Sequence, residues 1–118
     1  MPLIFSYGTL QQPVMQLETF GRLLQGRPDE VVGYARSSMP IEDPRRAAAM
    51  GATHYASAIF TGRRESRVAG AVFEVTDAEL ARADEFERLD GYKRVAAPLA
   101  SGREAWMYVD ARSYAASA

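Results

Sequence analysis

Apolar and polar positions alternate along this chain at two periods, and the switches between them outline its elements. Leu3-Ile4-Phe5 is a short apolar run that stops at Ser6-Tyr7-Gly8-Thr9-Leu10, which reads as a buried strand entering a tight loop. Pro13 suits an early helical position. Val14, Leu17, Phe20 and Leu24 recur at helical spacing, while Gly21 and Gly26 keep that helix short or broken. Val31 to Ser37 alternates loosely and favours a strand. Residues 38–52 carry Pro40, Pro44, an alanine triplet and Gly51, which make an irregular excursion with one helical turn. Long loops are functional or mobile, so this one is either a flap beside a site or a cover over one end of the fold.

Tyr55–Phe60 and Arg67–Val75 are expected strands joined by the turn at 61–66. Arg94–Leu99 and Glu104–Asp110 form a second hairpin about Ser101-Gly102. Trp106 and Tyr108 fall on one face of its return strand, and Ala105, Met107 and Val109 on the other. Between the hairpins, Thr76-Asp77-Ala78-Glu79 is a capping box that starts a helix running from about 77 to about 87. Strands with two or three short helices, mostly joined by hairpins, make an α+β domain. With 118 residues, a single domain over 1–118 is expected.

Charge and composition narrow the functions open to it. A formal net charge of −1 argues against nucleic-acid binding, which needs an excess of Lys and Arg on one face. The pairs Arg45-Arg46 and Arg63-Arg64 have Glu42, Asp43 and Glu65 as neighbours and read as solvated turns. The absence of cysteine excludes disulfides, thiolate metal sites and a cysteine nucleophile. No basic segment followed by an apolar one opens the chain, and no apolar stretch approaches the ~20 residues of a bilayer span. A cytoplasmic protein without membrane contact is the expectation. His54 is the single histidine; with no second one it suggests no metal site, and a strand-start or loop position suits it. Trp106, Tyr34, Tyr55 and Tyr108 are expected to fill the interior or its rim.

Two stretches carry candidate chemistry. Gly8 lacks a Cβ, so the backbone there is free to take positive φ and to let a ligand approach. Successive amides of such a turn make a concavity for an anion such as a carboxylate; an ordinary strand-to-loop turn is the other reading. On the helix capped by Thr76, Leu80, Ala83 and Glu87 share a narrow arc, which turns Glu87 toward the core side, with Asp84 close to it. Glu79, Arg82 and Glu85 point elsewhere. A carboxylate in a partly apolar cleft loses hydration and its pKa rises, which suits a group that takes and returns a proton. Alternatively, Glu87 pairs with Arg88 or Arg94 and ties the fold together.

Tyr7-Gly8-Thr9-Leu10, then Val68-Ala69-Gly70-Ala71-Val72-Phe73-Glu74-Val75, then Asp84-Glu85-Phe86-Glu87 with Tyr92-Lys93-Arg94, follow one another in an order and spacing that resemble the gamma-glutamylcyclotransferase-like family. That family includes the gamma-glutamylamine cyclotransferases and the plant avirulence-induced-gene proteins. The resemblance spans about residues 3–110. It implies a small mixed β-barrel with short helices packed around it and a ligand cavity at one mouth. It also implies gamma-glutamyl cyclotransferase activity on a small gamma-glutamyl amine or amide, releasing 5-oxoproline and the free amine. Glu87 would be the catalytic residue. Tyr7, Gly8, Thr9, Leu10 and Tyr92 would bind substrate, and neither metal nor cofactor would be needed. Arg94 is expected to pair with an acid.

The chain departs from the family pattern at Arg88, where many relatives have glycine, and at Ser37-Ser38-Met39-Pro40, where a Tyr-Pro pair is usual. Two other readings keep the same fold: a non-catalytic module binding a small carboxylate, and a hydrolase in which Glu87 activates water. The oligomeric state and the leaving amine are not written in the sequence.

Overall fold

The computed structural model describes residues 1–51 and 53–111. Strand β1 (Leu3–Ser6) leads through a 3₁₀ turn at Thr9–Gln11 into helix α1 (Pro13–Phe20). There follow β2 (Gly26–Val32), β3 (Tyr34–Pro40), α2 (Pro44–Met50), β4 (His54–Phe60), β5 (Arg67–Glu74), α3 (Asp77–Leu89), β6 (Tyr92–Pro98) and β7 (Glu104–Asp110). The fold is α+β, as expected. Five strands form one sheet in the order β2-β5-β1-β7-β6, and β3 and β4 form a separate antiparallel ribbon. Within the large sheet only the β1–β7 pair is parallel.

The barrel does not close. The sheet curls until its edge strands meet, but β2 joins the end of β6 and the turn after it through a Val31–Leu99 bridge, the Ala100 amide on the Glu30 carbonyl and Ser101 on the Asp29 carboxylate, with no continuous ladder between the edges. Each edge strand carries a proline, Pro28 and Pro98, and proline supplies no N–H to a closing ladder. The ribbon covers the open side instead.

Period-two alternation divides the apolar residues between two cores. Phe5, Val72, Met107 and Val109 pack with Tyr34 and Ala58 of the ribbon. Ile4, Val75 and Tyr108 face the helices, against Phe20, Leu80 and Ala83. Trp106 and Tyr108 therefore share a face opposite Ala105, Met107 and Val109, but that face looks at the helices rather than the interior. Tyr34 does fill the interior, and the side chain of Tyr55 lies outside the described residues.

Other local expectations need correction. Val31 to Ser37 is not one strand: Gly33, at φ 89°, breaks it and swings the chain from the sheet into the ribbon. The strands on either side of the 61–66 turn are not a hairpin, since β4 pairs with β3 while β5 pairs with β2 and β1. Helix α1 begins at Pro13 and ends on Gly21 as its glycines suggest, but it buries Gln16, Thr19 and Phe20 and exposes Val14 and Leu17. The 38–52 excursion continues β3 to Pro40 and then forms α2, capped by the Asp43 carboxylate on the Arg45 amide.

Candidate active site

The capping box at Thr76 sets the phase of α3. The Thr76 hydroxyl accepts from the Glu79 amide at 3.1 Å, and the Glu79 carboxylate accepts from the Thr76 amide at 2.9 Å. With the start fixed, 100° per residue carries Leu80, Ala83 and Glu87 onto the buried face. Glu87 stands in the last turn of the helix, 8% exposed. Glu79 is buried too, contrary to expectation, because Arg22 forks onto both its oxygens at 2.7 and 2.8 Å. This pairing holds the Glu79 carboxyl at about 2, well below its ordinary value, with the Thr76 amide adding to the effect.

The loop after β1 is fixed from two sides. Ser6 Oγ accepts the Gly8 amide at 3.3 Å. The buried Gln16 side chain donates to the Leu10 carbonyl and accepts the Leu24 amide, both at 2.9 Å, so α1 grips the end of the 3₁₀ turn. Gly8 has φ −140°, not a positive value. A Cβ there would stand in ordinary contact, 3.8 Å from Ala56 Cβ, beside the cavity described next. The Thr9 and Leu10 amides open the 3₁₀ turn, where N–H groups have no partner inside the helix.

These two features meet. A cavity of about 400 Å³ is lined by Tyr7, Gly8, Thr9 and Leu10 on one side and by Glu87, Asp90, Tyr92 and Tyr108 on another. The ribbon supplies Arg36, His54 and Ala56. Every residue expected at the site, Glu87, Tyr7, Gly8, Thr9, Leu10 and Tyr92, borders this one space. The Tyr7 hydroxyl donates to the Tyr108 carbonyl, and the Tyr108 hydroxyl to Asp84 at 2.8 Å. Burial pushes the Tyr7 phenol up, and the nearby charge of Glu87 pushes it further; burial and then the bond to Asp84 do the same for Tyr108. Both phenols keep their protons and act as donors. The Tyr92 hydroxyl donates to the Ala56 carbonyl, tying β6 to the ribbon.

Arg94 does not border the cavity. It pairs with Asp84 at 3.2 Å and lies over the Trp106 ring at 4.4 Å, the structural role expected of it. Arg88 is exposed on the last turn of α3 and lies outside the cavity. The described residues of 38–52 do not border it either. Sequence reasoning missed Arg36 and His54 as wall residues. The only available signal was their place on strands flanking the excursion. Among the described residues, no group of three or more His, Cys, Asp or Glu could hold a metal ion, and no helix is long and apolar enough to cross a membrane.

Comparison with known proteins agrees with this architecture. A family model described as gamma-glutamyl cyclotransferase, AIG2-like, matches residues 4–117. A solved structure from Arabidopsis thaliana superimposes with a TM-score of 0.72 at 22% identity, covering 95% of this chain and 63% of that one. A second Arabidopsis thaliana structure gives 0.71 at 19% identity, covering 95% and 70%. A structure described as a gamma-glutamyl cyclotransferase gives 0.62 at 16% identity, covering 91% of this chain and 64% of that one. At such identities the likeness is one of fold, and this chain spans 63% of the length of the first of these. A search of curated proteins gives no match.

Proposed function

This chain belongs to the gamma-glutamyl cyclotransferase, AIG2-like family, and from that membership we propose that it is a gamma-glutamyl cyclotransferase acting on a small gamma-glutamyl amine or amide. The observation that supports this reading is the shared cavity, in which a buried carboxylate, Glu87, and the amide-bearing turn at 8–10 border one space.

In the proposed reaction the α-amine of the substrate attacks its own γ-carbonyl carbon. A C–N bond forms to close the five-membered ring, and the C–N bond to the amine partner breaks. Glu87 takes a proton from the attacking nitrogen and returns it to the leaving nitrogen; the second ammonium proton passes through solvent. The products are 5-oxoproline and the protonated amine. The Thr9 and Leu10 amides hold the substrate α-carboxylate, with the Gly8 amide shared with Ser6 Oγ. Tyr7 and Tyr92 shape the floor and wall. Folding the flexible glutamyl chain into an attack-ready pose contributes up to roughly 7–11 kcal/mol, and because the nucleophile belongs to the substrate the scheme uses no serine, cysteine or metal.

The test is a panel of gamma-glutamyl amines and dipeptides assayed for 5-oxoproline with wild type and Glu87→Gln. Wild type should release it, and the variant should keep its thermal stability while losing about a hundredfold or more in rate. Unaltered turnover in the variant would remove Glu87 from the mechanism. Free glutamate in place of the cyclic product would mark a hydrolase, and ligand-dependent stabilisation without product would mark a binding module.

A further inference from the structure

The cavity has a buried end and an exposed end. Tyr7, Leu10, Glu87 and Tyr108 are each less than a tenth exposed, whereas Arg36 and His54 on the ribbon are open to solvent. Strand alternation explains the change along β3. Tyr34 is buried in the core opposite Phe60, and Arg36, two residues on, stands opposite the buried Ala58, where the core gives way to the cavity wall. Beyond the mouth, a shallow depression bordered by Arg36, Ser38 and His54 continues the space across the ribbon. Its position gives it to whatever part of a substrate projects past Glu87.

Arg36 is the one Lys or Arg among the described residues bordering the cavity. Among the described residues it forms no ion pair and makes one hydrogen bond, a long one of 3.4 Å to the Tyr7 carbonyl. A guanidinium carries five N–H donors in a planar fork suited to a carboxylate, so most of its capacity faces the opening. The other charged groups at the cavity, Glu87 and Asp90, are acids, which leaves Arg36 as the natural counter-charge for an anion.

We propose that the ribbon side of this cavity is a leaving-group subsite in which Arg36 receives a carboxylate carried by the released amine. The inference rests on the cyclotransferase reading and narrows it to substrates whose amine partner is itself an amino acid or peptide. The glutamyl part occupies the buried end beside Glu87, and the partner lies across Arg36 and the depression toward Ser38. Arg36 is then a specificity-determining residue and takes no part in the proton transfers.

Gamma-glutamylalanine and gamma-glutamylethylamide differ only in the carboxylate of the released amine, which makes them the probes. Wild type should favour gamma-glutamylalanine in kcat/KM by about tenfold or more, the usual scale of a charge-assisted hydrogen bond at a partly open site. In Arg36→Met this preference should collapse, mainly through the KM of gamma-glutamylalanine, and Arg36→Lys should recover part of it. An equal loss on both substrates would place Arg36 at the glutamyl end or in the fold and overturn the subsite, as would a preference that survives in Arg36→Met. Titration calorimetry of both compounds on Glu87→Gln and on the Glu87→Gln/Arg36→Met double variant reads the same preference without turnover. Equal affinity in the single variant overturns the subsite, whereas absence of product from wild type with a retained binding preference counts only against the cyclotransferase reading.

Discussion

The Tyr7 hydroxyl donates to the Tyr108 backbone carbonyl at 2.6 Å, joining the residue after β1 to the middle of β7 across 101 positions of sequence. The bond closes the floor of the cavity, and it persists at any ordinary pH because burial and the charge of Glu87 both oppose ionisation of the phenol. Tyr7→Phe keeps the ring and removes the donor. The expected loss is about 1 kcal/mol of unfolding free energy in urea, with a fall in turnover from the loosened floor.

Tyr92 ties β6 to the ribbon through the Ala56 carbonyl, and both residues border the cavity. Tyr92→Phe should raise KM for the gamma-glutamyl substrate and lower stability by about 1 kcal/mol. Steady-state kinetics with a urea titration checks this, and intact affinity and catalysis would remove Tyr92 from the site.

Gly70 sits in β5 where β1 passes closest. A Cβ there would collide with the Ser6 carbonyl oxygen and the Phe5 ring. Gly70→Ala must therefore push β1 and the loop after it away from β5. The expected cost is about 1–3 kcal/mol, the usual scale of overpacking, together with reduced substrate affinity, because Ser6 leads directly into the site. Equilibrium unfolding and substrate KM, measured on one preparation, check both halves.

Glu79 gives the chain an acid-sensitive brace. Its folded pKa of about 2 lies below its ordinary value of 4.5, so its contribution to stability is fully present above pH 4.5 and is lost as pH falls toward 2. Glu79→Gln should be less stable than wild type at neutral pH, with the two unfolding curves converging between those values. A difference that stays constant down to pH 2 would contradict the pairing with Arg22.

Some of the site was legible because its causes are local. The capping box is complete within four residues, and once it fixes the start of α3 the helical repeat alone turns Glu87 inward. The alternation from Glu104 to Asp110 likewise reveals two faces of β7 without any knowledge of its neighbours. Where partners lie far off, the same reasoning fails. Val14 and Leu17 have the spacing of a buried face, yet α1 turns Gln16 inward because that side chain satisfies the Leu10 carbonyl and the Leu24 amide together. Glu79 is buried because Arg22, 57 positions away, neutralises it.

Hydrophobic period, caps and glycine punctuation encode interactions among residues a few positions apart, so the chain's own order announces β1, β4, β5, β6 and β7, helix α3 and the direction of Glu87, though not the break at Gly33 that separates β2 from β3. Strand pairing is chosen by which apolar faces bury one another best, a contest among distant segments. Only folding reveals that β4 and β5 part into different sheets, that the sheet stops short of closure, and which face of β7 meets the ribbon and which the helices. It is this non-local choice that carries Arg36 and His54 to the mouth of the cavity, opposite a carboxylate whose inward turn was already written in α3.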